Sequence, residues 1–180
     1  MNNQFQPIFI LIFLIIAFVS PAFTQTENSG ELNVWTNKKV SREKGNKNIG
    51  FRGVRVTKQK DFDSVVFEFK GKIPNWEIEY GKPPILIIET GIYTKIAGKA
   101  FVKINFFPVS DNEIYDPKEK VKNYAMEISP KKLKLFFVKE IINTLWVNDE
   151  LSFAVGVKSK TFFRAQELAN PTRLEIDFKH

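Results

Sequence analysis

The stretch "ANPTRLEIDFKH", residues 169–180, consists of a turn followed by an alternating segment. Asn170-Pro171 has the chemistry of a turn. After it, large apolar residues alternate with charged ones. The apolar residues are Leu174, Ile176 and Phe178, and the charged residues are Glu175, Asp177 and Lys179. Because side chains on a strand point to opposite faces in turn, this pattern predicts a β-strand with one face in the core. We expect neighbouring strands to hold it and the sheet to require it.

The same two-residue period recurs from Phe51 onward. It is found in FRGVRVTK (51–58), SVVFEFKG (64–71), WEIEY (76–80), KAFVKINFF (99–107) and LSFAVGV (151–157). Turn chemistry separates these segments, as at Gly71–Pro74, at Gly81–Pro84 and at a hairpin tip, Asn148-Asp149. The pattern predicts an all-β fold, either an antiparallel β-sandwich or a partly closed barrel of about eight to ten short strands, with little helix.

Residues 133–147 are ambiguous between helix and strand. Leu135, Val138 and Ile142 fall on one helical face, whereas the β-branched and aromatic content favours strands. We predict two strands joined near Lys139-Glu140. A turn of helix is indicated within residues 117–128.

Residues 1–24 have the pattern of a signal peptide. Ile8–Val19 is a continuous apolar run that is shorter than the about 20 residues of a membrane span. Small residues predict cleavage after Thr24 or after Ala22. The segment before the run has no Lys or Arg, so an uncleaved membrane anchor is the alternative.

The rest of the chain divides into a polar lead-in, residues 25–50, and one β-domain, residues 51–180. The lead-in has few large apolar residues and is predicted to be flexible. The formal net charge is +7. Such a charge fits a lysine-rich solubilising surface, or attraction to an anionic envelope polymer or membrane face. Export argues against nucleic acid as a partner.

Few residues could support catalysis. The sequence has no cysteine, which excludes disulfides, thiolate chemistry and a lipid-carrying cysteine. Its one histidine is His180, where we expect fraying, so neither a catalytic triad nor a zinc site is predicted. Glu77 and Glu79 lie about 7 Å apart on one strand face, which permits glycoside hydrolysis, but strand alternation already explains both. The carboxylates of Asp111–Asp116 fit a solvated turn better than a calcium site. We predict no enzyme, no metal and no cofactor.

Two aromatic residues are candidates for ligand binding. Trp76 and Tyr80 share one face of a predicted strand. Aromatic rings on an exposed face could stack on sugar rings and form a glycan platform. Core packing is the alternative, and the platform requires that this face be exposed.

Two arginines are further candidates. Arg52 and Arg164 could hold a ligand carboxylate or phosphate, because the guanidinium group presents two parallel donors. The alternative is an inter-strand ion pair for each, with Asp63 as the expected partner of Arg52 and Asp177 as that of Arg164.

Several motifs occur in an order that resembles a known family. They are DFDSVVFEFKGKIPNWEIEY (61–80), IAGKAFVKINFFPVS (96–110) and LSFAVGVKSKTFFRAQELANPTRLEIDFKH (151–180). From about Phe51 to His180 the chain resembles the AMIN-like domain, a relative of the AMIN domain of bacterial cell-envelope proteins. It departs from that pattern at Ser64, where an Arg is expected, and in lacking a lipobox cysteine and a small-residue linker.

The resemblance implies an exported, non-enzymatic β-domain in the periplasm or outside the cell that binds or localises to the cell envelope. The implied partner is peptidoglycan, another anionic glycan or an envelope protein, with membrane contact only if the leader is uncleaved. One alternative is a protein-interaction module that pairs through an exposed strand edge. A second is a carboxylate-dependent envelope glycan hydrolase.

Processing of the leader gives the first prediction. We expect the mature protein to begin at Gln25 or at Phe23 and to be released by osmotic shock, because the apolar run is too short to remain as a span. Amino-terminal sequencing of the released fraction measures this. An intact Met1 in the membrane fraction would support the anchor instead.

Overall fold

The computed structural model describes residues 32–47, 49–88, 90–110, 128–129 and 133–180. In these ranges the chain is all-β, with no helix. None of the described residues form a helix long and apolar enough to cross a membrane. The predicted signal peptide, the acidic cluster Asp111–Asp116 and nearly all of the predicted helical turn lie outside the described residues.

The described residues form eleven strands. In chain order they are β1 (Val40–Arg42), β2 (Gly50–Lys58), β3 (Phe62–Lys70), β4 (Asn75–Tyr80), β5 (Ile85–Ile87), β6 (Ile92–Thr94), β7 (Ala100–Phe107), β8 (Val138–Val147), β9 (Glu150–Val157), β10 (Phe163–Leu168) and β11 (Arg173–Lys179).

Two antiparallel sheets pack as an open, sandwich-like pair. One sheet has the order β1-β4-β7-β9-β8 and the other β10-β11-β3-β2, while β5 and β6 form a separate hairpin. Of the two predicted architectures, the β-sandwich is therefore confirmed, and the sheets do not close into a barrel. The predicted tip at Asn148-Asp149 joins β8 to β9, and both residues have positive φ, which Asn and Asp tolerate.

The core lies between the two sheets and is rich in phenylalanine. Phe67 of β3 reaches across to Phe106 of β7 and Phe153 of β9, with ring centroids 5.1 and 5.0 Å apart. Phe51 of β2 contacts the same Phe153 ring at 5.4 Å. The prediction for the last strand is confirmed, since the three apolar residues of β11 are fully buried, namely Leu174, Ile176 and Phe178.

Asp63 of β3 links the two sheets through a fully buried carboxylate. Its Oδ2 accepts hydrogen bonds from the backbone N–H groups of Phe137 and Val138, where β8 begins. Its Oδ1 lies 3.1 Å from Nε2 of His180, whose own N–H donates to the carbonyl of Asp61. His180 is thus held in place, and the expectation that it frays is wrong.

Three elements differ from the sequence predictions. Residues 138–147 form one strand, β8, not two, and its register with β9 shifts at two places, which disturbs the alternation. Within the lead-in, β1 pairs with β4 and buries Val40, a strand that the sequence analysis did not assign. The hairpin of β5 and β6 was also missed.

The carboxylate of Asp63 gives a stability prediction. Asp63→Ala leaves two buried backbone N–H groups without an acceptor, at about 1–3 kcal/mol each, so we expect a loss of about 2–6 kcal/mol. Urea unfolding measures the change. Asp61→Ala is the matched control, because Asp61 is exposed two residues away. Equal unfolding midpoints for the two variants would contradict the role given to Asp63.

Candidate binding cleft

Trp76 does not form the predicted glycan platform. Only 2% of its surface is exposed, because the apolar face of β4 packs into the core between the sheets. Its indole Nε1 donates a hydrogen bond of 2.8 Å to Glu167. A ring enclosed in this way is not available to stack on a sugar, so core packing describes Trp76.

Tyr80 is half-buried at the end of the same strand. Its hydroxyl donates to the carbonyl of Thr161 at 2.8 Å and accepts from the N–H of the same residue at 2.9 Å. Burial raises the pKa of this phenol, while the Thr161 N–H acts in the opposite direction. The ring also packs against Phe163, 6.1 Å between centroids. Tyr80 therefore fastens the segment before β10 to β4.

The predicted ion pair of Arg164 is confirmed. Its Nε lies 2.8 Å from Oδ2 of Asp177 on the neighbouring strand. Oδ1 of the same carboxylate accepts a hydrogen bond of 2.6 Å from the Ser64 hydroxyl. The guanidinium group also stacks on Trp35 and Phe62, 4.7 and 5.1 Å from their centroids. Ser64, where the family pattern has Arg, thus completes the Asp177 site with a neutral donor.

The predicted partner of Arg52 is wrong. Its Nη1 lies 3.2 Å from Oε1 of Glu68, not from Asp63. A register shift between Phe51 and Gly53 places Glu68 beside this part of β2. The carboxylate of Asp63 turns toward β8 and His180 instead. Neither arginine is brought together with Trp76 and Tyr80 in one ligand site.

A different region of the surface forms a cleft. A cavity of about 460 Å³ lies beside the loop between β1 and β2, and we call it the binding cleft. Its walls come from four separate segments and comprise Gly45, Asn46, Lys47, Ile49, Asn75, Phe107, Pro108, Ser110 and Asp149. Two smaller cavities adjoin it, one sharing Asn46 and the other sharing Asn75 and Phe107. Together the three cavities border residues 43–47.

Side-chain amides hold the loop that borders the cleft. Oδ1 of Asn75 accepts hydrogen bonds from the N–H groups of Lys44 and Gly45. Nδ2 of Asn46 donates to the carbonyl of Ile73 at 2.8 Å. Gly45 has φ +60°, a conformation that glycine adopts without strain. These bonds hold residues 44–46 in place at the border of the cleft.

The cleft combines an aromatic ring with polar groups. Phe107 ends β7 and is 50% exposed, because alternation turns it away from the core that holds Phe106. The ammonium group of Lys47 and the carboxylate of Asp149 are exposed beside it, and Ser110 is half-buried. Sequence reasoning missed this site, since its residues are far apart in the chain and each fits an ordinary loop. In the part of the chain that the structure describes, no group of three or more His, Cys, Asp or Glu residues could hold a metal ion.

Comparison with known proteins identifies the family. The sequence profile of the AMIN-like domain matches residues 50–180, well over half of the chain. The chain belongs to the AMIN-like domain family. None of the curated proteins and none of the solved structures matches it.

The motifs of this AMIN-like domain now have structural roles. Asp63 joins the sheets, and Asp177 binds Arg164. Gly98 and Gly156 let two segments approach closely, since a Cβ on Gly98 would lie 2.2 Å from the carbonyl oxygen of Val157 and one on Gly156 equally close to that of Ala97. The quoted motifs therefore specify the fold, and they also supply four of the nine residues of the cleft, namely Asn75, Phe107, Pro108 and Ser110.

Tyr80 provides a prediction that separates a structural role from binding. Tyr80→Phe should lower the free energy of unfolding by about 1–2 kcal/mol at pH 8, because Thr161 loses its partner. The raised pKa means that the folded state holds the phenol proton more tightly. The stabilisation is therefore complete below the ordinary pKa of 10.0 and is lost as the pH rises through the folded pKa. The difference in the free energy of unfolding between wild type and variant should therefore decrease above pH 10.

Urea titrations at pH 8 and at pH values above 10 test this prediction. Tyr93→Phe is the matched control, because the Tyr93 ring is 66% exposed. A difference in unfolding free energy that stays constant with pH, or that equals the difference measured for the control, would show that the Tyr80 hydroxyl does not stabilise the fold specifically.

Proposed function

We propose that this AMIN-like domain is an exported, non-enzymatic module that binds an anionic polymer of the cell envelope, with peptidoglycan as the first candidate. The apolar leader sequence and the net charge of +7 support an envelope location and an anionic partner. The family supports the same setting. The protein works in the periplasm or outside the cell under this proposal.

The cleft at Phe107 is the observation that carries the proposal. A half-exposed aromatic ring offers an apolar face to a sugar ring. The amide of Asn46, the hydroxyl of Ser110 and the ammonium of Lys47 line the same cavity. Hydroxyl groups of a glycan can pair with the amide and hydroxyl, and a carboxylate of peptidoglycan with the lysine. Because the loop is already fixed, binding requires little ordering.

Two contacts support a non-enzymatic role. Glu77, one of the two carboxylates considered for hydrolysis, forms an ion pair of 2.6 Å with Lys39. His180 lies against Asp63 and stacks on Phe136, with 5.0 Å between centroids. Both groups thus serve contacts within the fold. Neither lines the cleft itself, and Glu77 lines the adjoining cavity that shares Asn75 and Phe107.

The edge of β2 supports a second candidate, a protein-interaction module. In the described part of the four-stranded sheet, β2 is one of the two edge strands, and it pairs with β3 from Gly50 to Lys58 with a register shift between Phe51 and Gly53. An added strand from a partner could bond to such an edge. Purified sacculi distinguish glycan binding from protein binding, since they contain the glycan but no protein partners.

Sedimentation with purified, protein-free sacculi tests the cleft. Phe107→Ala should weaken binding about tenfold, which corresponds to about 1.4 kcal/mol for a lost aromatic contact. Phe162→Ala is the matched control, because Phe162 is 48% exposed and lies outside the cleft. Binding by wild type and control at low salt, with loss in Phe107→Ala, is the expected result. Equal sedimentation of both variants would reject the cleft, and no sedimentation of the wild type would reject the glycan.

A further inference from the structure

The hairpin of β5 and β6 carries a second distinctive surface. Ile85 is buried against Phe101 and Ala154 of the five-stranded sheet. Four large side chains of the hairpin are 40–66% exposed, and we call them the hairpin surface, namely Leu86, Ile88, Ile92 and Tyr93. A cluster of exposed apolar residues on a small domain marks an interaction site.

The hairpin is anchored to the five-stranded sheet both at its turn and where the chain leaves it. The N–H of Ile88 donates to the carbonyl of Thr144 on β8 at 3.0 Å. The N–H of Ala97 donates to Oε2 of Glu140 at 2.6 Å. The close approach at Gly98 fixes the return to β7. The hairpin surface is therefore presented by a fixed support.

Three exposed lysines flank the hairpin. They are Lys82, before β5, and Lys95 and Lys99, after β6. Among the residues that the structure describes, none of the three forms an ion pair. An apolar surface with cations next to it is complementary to a partner that has an anionic outer layer and an apolar interior.

We propose that the hairpin surface docks on an anionic lipid bilayer. The apolar side chains enter the boundary between headgroups and acyl chains, where Tyr93 can keep its hydroxyl in the polar layer. The lysines remain at the headgroups, with their alkyl stems along the apolar boundary and their ammonium groups at lipid phosphates.

Charge favours a bilayer over a second copy of this chain. A twofold dimer would bring the same surface against itself, and the three lysines would then face the same three lysines. An anionic bilayer supplies the opposite charge instead. This contact depends on neither the leader nor the binding cleft, so it goes beyond the proposed binding of an envelope polymer.

A fluorophore on the hairpin tests the proposal in the full chain. Because the sequence has no cysteine, Tyr93→Cys creates a single labelling site for nitrobenzoxadiazole, which brightens and shifts to the blue on leaving water. Gln59→Cys, in the exposed turn between β2 and β3, is the matched control. We expect the shift at position 93 with vesicles of equal phosphatidylglycerol and phosphatidylcholine, and none with phosphatidylcholine alone or at position 59.

Charge removal provides the second arm. Replacing Lys82, Lys95 and Lys99 by Gln in the labelled chain should raise the anionic lipid needed for half of the shift about a hundredfold, at about fivefold for each lysine. The vesicles contain no glycan, so this result is independent of the sacculus experiment.

Three outcomes would overturn the proposal. The first is an unshifted label at position 93 while the protein sediments with the vesicles, since the leader alone would then hold it. The second is an equal shift at both positions. The third is a shift without vesicles that grows with protein concentration, which would assign the hairpin surface to a second copy of this chain.

Discussion

The buried carboxylate of Asp63 is the constraint on which the two sheets depend. A charge withdrawn from water is tolerated only where donors surround it, and here two backbone N–H groups and the His180 ring do so. Those partners lie at the start of β8 and in the residue after β11. The hydrogen bonds of this one carboxylate therefore hold three parts of the chain in fixed positions relative to one another. Apolar contacts between phenylalanine rings then fill the interior, but they do not specify which strand end meets which.

Much of this architecture can be predicted from the sequence, because the alternation of apolar and polar residues indicates which strands have one face exposed to solvent. β11 shows this well, since its period of two correctly places Phe178 in the core. Alternation groups Trp76 with Tyr80 on one face, yet it cannot say whether that face meets the other sheet or water. β8 was misread since its register shifts break the period. The hairpin was not predicted because its sequence, "ILIIETGIYT", is apolar on both faces of the expected strands.

The binding cleft was beyond sequence reasoning for a different reason. Its residues come from the loop before β2, the start of β4, the end of β7 and the turn before β9. Only the topology brings Lys47, Phe107 and Asp149 together, and Lys47 and Asp149 lie outside the quoted motifs. Polar residues at strand ends, such as Asn75, commonly form local hydrogen bonds. The role of Asn75 here, accepting from the Lys44 and Gly45 amides, is therefore visible only with the neighbouring segment in place.

β7 relates the two proposed surfaces to each other. The hairpin leads into its first residue, Ala100, and the cleft contains its last, Phe107. Eight residues of strand span about 24 Å, so the two ends are separated by that length of rigid, doubly paired backbone. The hairpin lies along this length and not at one end of it, because Ile85 packs on Phe101 while the N–H of Ile88 bonds to Thr144, nearer the end of β8. The same strand therefore carries core residues between the sheets, supports the hairpin at Phe101 and ends in the cleft at Phe107.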